Sequence, residues 1–140
     1  MIIDTNVVSE IMRPVPNIKV ADWFERTAQL TRFITSITEA ELLFGVELMP
    51  EGKRRDTFAI VIERLIKIDL PPPVLPFESA DAPYYAKIAA MRRRAGRPIS
   101  ILDAQIAAIA LRRGLPIATR NVRDFADCGV TLINPWDPAP

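Results

Sequence analysis

The sequence has no histidine, one cysteine and only five glycines among its 140 residues. Without histidine, a Ser-His-Asp triad or a Cys-His pair cannot form, and one cysteine leaves an ordinary zinc site short of ligands. The glycines are too scattered for a glycine-rich nucleotide-binding loop. An enzyme with this composition would work with carboxylates, which suit hard cations. Since Cys128 cannot form an internal disulfide, we expect it to pack in the core.

Long hydrophobic runs are also missing. No segment approaches the roughly 20 apolar residues that span a bilayer, and the apolar N-terminus lacks the basic leader of a signal peptide. We therefore expect a cytoplasmic protein that does not bind membranes. With 49% hydrophobic residues, the chain has enough apolar material for one domain over residues 1–140, with a proline-rich tail from about residue 135.

Neither sign of charge dominates, because 18 basic residues face 17 acidic ones and the net charge is +1. No overall field would draw this chain to nucleic acid, and we expect no direct DNA binding by the chain alone. Local clusters of arginine could still hold RNA phosphates, although solvated helix faces carry the same pattern. The candidate phosphate contacts are Arg92, Arg93, Arg94, Arg97 and Arg120.

Short apolar segments alternate with helical segments along the chain. The pattern predicts strands over residues 1–3, 32–38, 74–77, 115–119 and 130–134, and helices over residues 6–12, 18–27, 38–49, 54–68, 79–94 and 100–113. Alternation of this kind is typical of an α/β fold, here a three-layer α/β/α sandwich around a parallel sheet of four to five short strands. Pro71–Pro73 should form a rigid connection within the domain.

Four acids occur where a strand ends or a helix begins: Asp4, Glu41, Asp103 and Asp124. In a parallel sheet, strand ends and the following helix starts gather along one edge, where ligand sites form. Each acid also has a local explanation, since carboxylates stabilise the first turn of a helix. Asp4 could be an N-cap, Glu41 could form a capping box with Thr38, and Asp103 has the same spacing from Ser100.

Asp103 weakens this local explanation, because helical spacing places it on the same side as Ile106, Ala107 and Ala110. An unpaired carboxylate there would be costly. Four carboxylates brought together repel one another unless a divalent cation lies between them. Mg²⁺ or Mn²⁺ would suit the cluster and could activate water for phosphodiester hydrolysis. A phosphohydrolase with Asp4 as nucleophile is an alternative, although Asp4-Thr5-Asn6 lacks the second acid of a D-x-D motif.

The four segments IIDTNVVSE, SITEAELLFG, ISILDAQIAAIA and IATRNVRDF occur in the order and spacing of a PIN-domain ribonuclease. With NPW near the end, the chain resembles VapC-type toxins of the Fit-like branch over about residues 1–137. The resemblance implies that Asp4, Glu41 and Asp103 are the core acids of a metal site. Within ELLFG it selects Glu41, whereas Glu39 faces another direction on the helix.

The fourth acid of the family has two versions. Some members place it at the position of Asn121, and others use the position of Asp124, so this chain satisfies the second version. Asn121 could still bind a metal water or a phosphate oxygen. Thr5, Asn6 and Thr119 are implied as supporting polar groups around Asp4.

The implied activity is magnesium-dependent or manganese-dependent endonucleolytic cleavage of RNA that leaves a 5′-phosphate and a 3′-hydroxyl. The family resemblance also implies a growth-inhibiting toxin, a small cognate antitoxin with a DNA-binding domain, and a homodimer. Two alternatives remain open: a catalytically silent PIN-fold binding module, and an RNA-processing nuclease that is not a toxin.

Overall fold

A short parallel sheet lies at the centre of the computed structural model, which describes residues 1–70 and 74–138. Its regular strands are β1 (Ile2–Ile3), β2 (Ile117–Ala118) and β3 (Leu132–Ile133), in the order β1-β2-β3. Ile2 pairs with Ile117, and Ile117 pairs with Leu132, all in parallel register. The sheet therefore joins the first residues of the chain to two strands from its last quarter.

The other two predicted strands join this sheet only through isolated bridges. Phe33 bridges to Ile2, and Thr35 bridges to Leu75, both in parallel orientation. Backbone N–H groups of Ile3 and Leu75 donate to Phe33 and Ile34 at 2.8 and 2.9 Å. The five predicted segments thus lie side by side, but only three form regular strands, fewer than the four to five expected. The segment over residues 32–38 is short because a helix begins inside it.

The helices are α1 (Thr5–Ile11), α2 (Ile18–Arg26), α3 (Ser36–Leu48), α4 (Lys53–Arg64), α5 (Ala82–Arg94) and α6 (Ile101–Arg113). A π-helical turn over Leu65–Asp69 continues α4, and a 3₁₀ turn over Ser79–Asp81 leads into α5. The predicted connection at Pro71–Pro73 and the last two residues of the predicted tail lie outside the described residues. No helix in residues 1–70 and 74–138 is long and apolar enough to cross a membrane.

Side-chain alternation along the strands divides the interior into two cores, one on each face of the sheet. Ile3 and Ala118 pack with residues of α1 to α4, including Val7, Leu42 and Ile62. Their neighbours Ile2 and Ile117 face the opposite way and pack with α5 and α6. Cys128 is buried in this second core, as predicted. Successive residues of a strand point to opposite faces, which produces the α/β/α arrangement of the fold.

The start of α3 corrects one prediction from the sequence. Its N-cap is Thr35, whose Oγ1 accepts a hydrogen bond from the Thr38 backbone N–H at 3.1 Å. The predicted capping box of Thr38 with Glu41 does not form, because the helix begins three residues earlier. Glu41 therefore lies in the second turn, so local capping does not explain it. The caps of α6 are as predicted, with Ser100 accepting from Asp103 N–H and Gly114 at φ 64°.

A buried acid links the start of α5 to the end of α6. Asp81 is fully buried, and its carboxylate accepts hydrogen bonds from Glu78 N–H, Arg112 Nε and Arg113 Nη1. Burial alone would raise the pKa of Asp81, but these hydrogen bonds and the two arginine charges lower it overall. The network joins the start of α5 to the end of α6, the two helices that pack in the second core.

We predict that Asp81→Asn lowers the free energy of unfolding at pH 7 by about 1 to 3 kcal/mol, because the arginines lose a buried partner while staying partly solvated. Since the folded-state pKa is lowered, this stabilisation is present above the unfolded pKa of about 3.9 and is lost as the pH falls through the folded pKa. Urea unfolding of both proteins at pH 7 and pH 3 checks this.

The matched control is Asp22→Asn, which removes an exposed ion pair with Arg26 and should change stability by less than about 1 kcal/mol. An equal loss for Asp81→Asn at both pH values would contradict the prediction.

Candidate active site

Asp4 lies at the carboxyl end of β1 and is the N-cap of α1, with 5% of its surface exposed. Its Oδ1 accepts a hydrogen bond from Thr5 N–H at 2.8 Å. Its Oδ2 accepts from Asn6 Nδ2 at 2.8 Å and from Thr119 Oγ1 at 2.7 Å. The capping role does not exclude a ligand role, because the carboxylate caps the helix while it lies at the edge of the sheet.

Thr119 connects this carboxylate to the end of β2. Its buried hydroxyl oxygen accepts hydrogen bonds from Asn121 N–H at 3.0 Å and from Asn6 Nδ2 at 3.2 Å while donating to Asp4. The Asn6 side chain also accepts from Arg120 N–H at 3.0 Å. Polar groups from two neighbouring strand ends therefore fix the orientation of one carboxylate.

Glu41 is brought to the same place from α3. Its Oε1 accepts a hydrogen bond from Thr5 Oγ1 at 2.9 Å, so Thr5 contacts Glu41 with its side chain and Asp4 with its backbone N–H. Glu39, two residues earlier, makes no side-chain hydrogen bond or ion pair within the described chain. The structure thus distinguishes the two neighbouring glutamates in the way that helical geometry predicts.

Asp103 and Asp124 complete the acidic cluster. Asp103 is half-buried in the first turn of α6, and Asp124 is exposed in the turn after β2. Burial raises the pKa of Asp4, of Glu41 and of Asp103. Neighbouring negative charges raise these pKa values further. Asp103 raises the pKa of Asp4, Asp4 and Asp103 raise that of Glu41, and Asp124 raises that of Asp103. Hydrogen bonds to the carboxylates oppose the rise without cancelling it.

The donor chemistry of this cluster fits a hard divalent cation. None of the ion pairs in residues 1–70 and 74–138 includes any of the four acids. Asp4, Glu41 and Asp103 have raised pKa values and form no ion pair with a described side chain, and carboxylates of this kind are the oxygen donors that Mg²⁺ and Mn²⁺ accept. As placed, however, no three acidic or cysteine side chains of the described residues surround one point closely enough to hold an ion.

The predicted phosphate contacts have different environments. Arg93 and Arg94 are exposed, Arg97 is exposed and paired with Asp127, and Arg120 is exposed with its guanidinium 5.4 Å from the centre of the Trp136 ring.

Arg92 departs from the prediction, because it is buried and its guanidinium donates to backbone carbonyls. It is therefore not available to a phosphate. Local sequence does not indicate this burial, since Arg92 stands beside two exposed arginines.

The fold is a parallel α/β/α sandwich with an acidic cluster at the carboxyl edge of its sheet. Comparison with known families identifies the family that has this arrangement. The PIN domain model matches residues 1–129. The chain belongs to the PIN-domain family, whose ribonucleases generally use a divalent metal ion.

Three similar proteins extend over nearly the whole chain. The plasmid stability protein StbB of Pseudomonas syringae pv. tomato is 40% identical over 98% of this chain and 99% of its own length. The VapC ribonuclease Y4jK of Sinorhizobium fredii is 37% identical over 99% of each. The toxin FitB of Neisseria gonorrhoeae is 35% identical over 97% and 98%.

A solved structure agrees with these relatives. The chain superposes with a TM-score of 0.91 and 32% identity on a structure described as FitAB bound to an IR36 DNA fragment, covering 99% of this chain and 97% of the other. The α/β/α fold predicted from the sequence is therefore confirmed, as is the membership of a PIN-domain group that includes VapC and FitB.

We predict that Thr119→Val raises the pKa of Asp4 further, because the lost hydroxyl stabilises the charged carboxylate. A carboxyl ¹³C NMR titration of both proteins measures this shift. Thr57→Val, on the exposed side of α4, is the matched control and should leave the pKa of Asp4 unchanged. A lower pKa of Asp4 in Thr119→Val, or no change, would show that the hydroxyl does not support the carboxylate.

Proposed function

We propose that this protein is a metal-dependent endoribonuclease and the toxin of a type II toxin-antitoxin pair. The observation that carries the proposal is the cluster of Asp4, Glu41, Asp103 and Asp124 in a PIN-domain chain, since none of these acids forms an ion pair with a side chain of the described residues. Similarity to a VapC ribonuclease and to the toxin FitB supports the same conclusion. We also propose a cytoplasmic location and a single domain over residues 1–140.

The four acids would hold Mg²⁺ or Mn²⁺, with Asp4 and Asp103 as the central ligands. When bound, the cation supplies charge for the phosphate and a lowered pKa for water. Thr5, Asn6 and Thr119 keep the Asp4 carboxylate in one orientation, and the exposed Asn121 amide can bind a phosphate oxygen. The exposed arginines Arg93, Arg94, Arg97 and Arg120 would attract the RNA backbone. Hydrolysis would leave a 5′-phosphate and a 3′-hydroxyl.

The proposed partner is a small antitoxin with a DNA-binding domain. Support comes from the FitAB structure on DNA, in which a chain of this fold occurs in a complex. The electrostatics are also suitable, because an antitoxin arginine reaching the acids would supply the positive charge that this chain does not.

We further propose a homodimer. Exposed apolar side chains are available for an interface at Ile60 in α4, at Ile68 in the turn that continues it, and at Met91 in α5. Two others, Phe44 and Leu102, line the same surface cavity as Glu41. Apolar side chains exposed in groups are typical of protein contacts.

A silent PIN-fold module would have no need for the mutually repelling carboxylates of Asp4, Glu41 and Asp103, since burial of each charge costs folding free energy in the absence of a cation. A nuclease that processes RNA without acting as a toxin would have the same site. Expression of the chain alone distinguishes these roles. The toxin should arrest growth, and co-expression of the small antitoxin encoded beside it should restore growth. Normal growth despite soluble, active protein would contradict the toxin role.

We predict that the purified protein cuts single-stranded RNA with Mg²⁺ or Mn²⁺ and stops in chelator. Asp103→Asn should lower kcat/KM by about 100-fold or more, because loss of a ligand should exceed the 10- to 100-fold cost of altering groups around ligands. Gel analysis of labelled RNA with each metal, alone and with chelator, measures both effects.

Glu39→Gln is the matched control, since it removes a carboxylate from the same helix as Glu41 without touching the acidic cluster. Its cleavage should equal that of the wild-type protein. Cleavage that persists in chelator, or an Asp103→Asn variant with full activity and a native circular dichroism spectrum, would contradict the proposed function.

A further inference from the structure

Arg92 is the one member of a run of three arginines at the end of α5 that the fold buries, with 6% of its surface exposed. Burying a guanidinium is costly unless its N–H groups find acceptors. The Arg92 Nε donates to the carbonyl of Arg97 at 2.7 Å, and its Nη1 donates to the carbonyls of Asp124 and Ala126, both at 2.8 Å. No carboxylate of the described residues forms an ion pair with it, although its positive charge opposes the raised pKa of Asp103.

The acceptors belong to two separate segments that both lead to the acidic cluster. Arg97 lies in the connection that enters α6, where Asp103 is the third residue. Asp124 and Ala126 lie in the turn region after β2. One rigid guanidinium therefore joins the connection before Asp103 to the turn that contains Asp124, which lies 32 residues after Arg92.

The turn depends on these hydrogen bonds. In the described residues, neither the Asp124 carbonyl nor the Ala126 carbonyl accepts a backbone N–H, and the only other donor to either is the Cys128 thiol, 3.6 Å from the Ala126 carbonyl oxygen. A buried or confined carbonyl without a donor destabilises its segment, so Arg92 supplies donors that a strand or helix would normally provide. A planar fork of donors in fixed geometry can hold several carbonyls at once, which a lysine cannot do.

We propose that Arg92 is a positioning residue, which sets the separation of the Asp103 and Asp124 carboxylates by fixing the backbone of both segments. This inference rests on the proposed function, because it concerns the approach of those acids to a shared divalent cation. Contact between Arg92 and RNA is not part of it, since its guanidinium is buried and already bonded to carbonyls.

The test measures Mn²⁺ binding without RNA, by electron paramagnetic resonance of the free ion, for the wild-type protein, Arg92→Met and Arg92→Lys. We expect both variants to bind Mn²⁺ about 10- to 100-fold more weakly, the usual cost of altering groups that support metal ligands. Arg92→Lys keeps the charge but loses the fork, so it should not restore affinity, and it provides a second variant if Arg92→Met folds poorly.

Arg113→Met is the matched control for loss of stability. Arg113 is also a largely buried arginine, but it bonds Asp81 and Glu78 at the opposite end of α6. This variant should melt at a lower temperature and keep wild-type Mn²⁺ affinity. If Arg92 acted only on stability, its variants would behave in the same way as Arg113→Met, and the positioning role would be wrong.

Salt dependence of RNA binding separates positioning from direct phosphate contact. Arg92→Met should leave the slope of log affinity against log salt unchanged, whereas loss of a phosphate contact reduces it. A reduced slope with normal Mn²⁺ affinity would overturn the inference. Wild-type protein that binds no Mn²⁺ would contradict the proposed function itself, whereas normal Mn²⁺ affinity in both Arg92 variants would contradict only the role of Arg92.

Discussion

The hydrogen bonds around the Asp4 carboxylate are the constraint on which the site depends. A buried carboxylate at the end of β1 needs donors, and they come from the start of α1 and from Thr119 at the end of β2. Because these donors lie on neighbouring parallel strands, Asp4 can be satisfied only when the sheet is correctly paired. The same pairing brings Glu41 within reach of Thr5. Correct folding and assembly of the site are thus one event.

The buried and half-buried acids of this protein fall into two groups with opposite pKa shifts. Asp81 has two arginine partners and a lowered pKa, so its charge stabilises the fold above about pH 4. Asp4, Glu41 and Asp103 have raised pKa values and form no ion pair with a side chain of the described residues. Their folded forms bind protons more tightly than the unfolded chain does, so their contribution to stability is lost as the pH rises through those values. The acidic cluster therefore costs stability at neutral pH until a cation binds, as expected of a site kept for function.

Local patterns were enough to predict the helices and the parallel sheet. They also pointed to Asp4, Asp103 and Asp124 near strand ends or helix starts, whereas Glu41 lies in the second turn of α3. Patterns failed where one segment fits two local structures, and where contacts distant in sequence determine whether a side chain is buried. Thr35 and Thr38 are three residues apart, and either could cap a helix. The segment over residues 32–38 also has enough β-branched residues to resemble a strand. Arg92 looks like Arg93 in the sequence, and only the turn after β2, 32 residues away, buries one and not the other. The roles of the acids themselves remain predictions, since a sequence pattern cannot show which carboxylates share an ion.

The most direct test of this account is a crystal of the protein grown with Mn²⁺ and measured at a wavelength where manganese scatters anomalously. The account predicts one or more peaks at the carboxyl edge of the sheet, within bonding distance of Asp4 and Asp103. A map with Mn²⁺ only at other acids, or with no bound ion at saturating concentration, would contradict it.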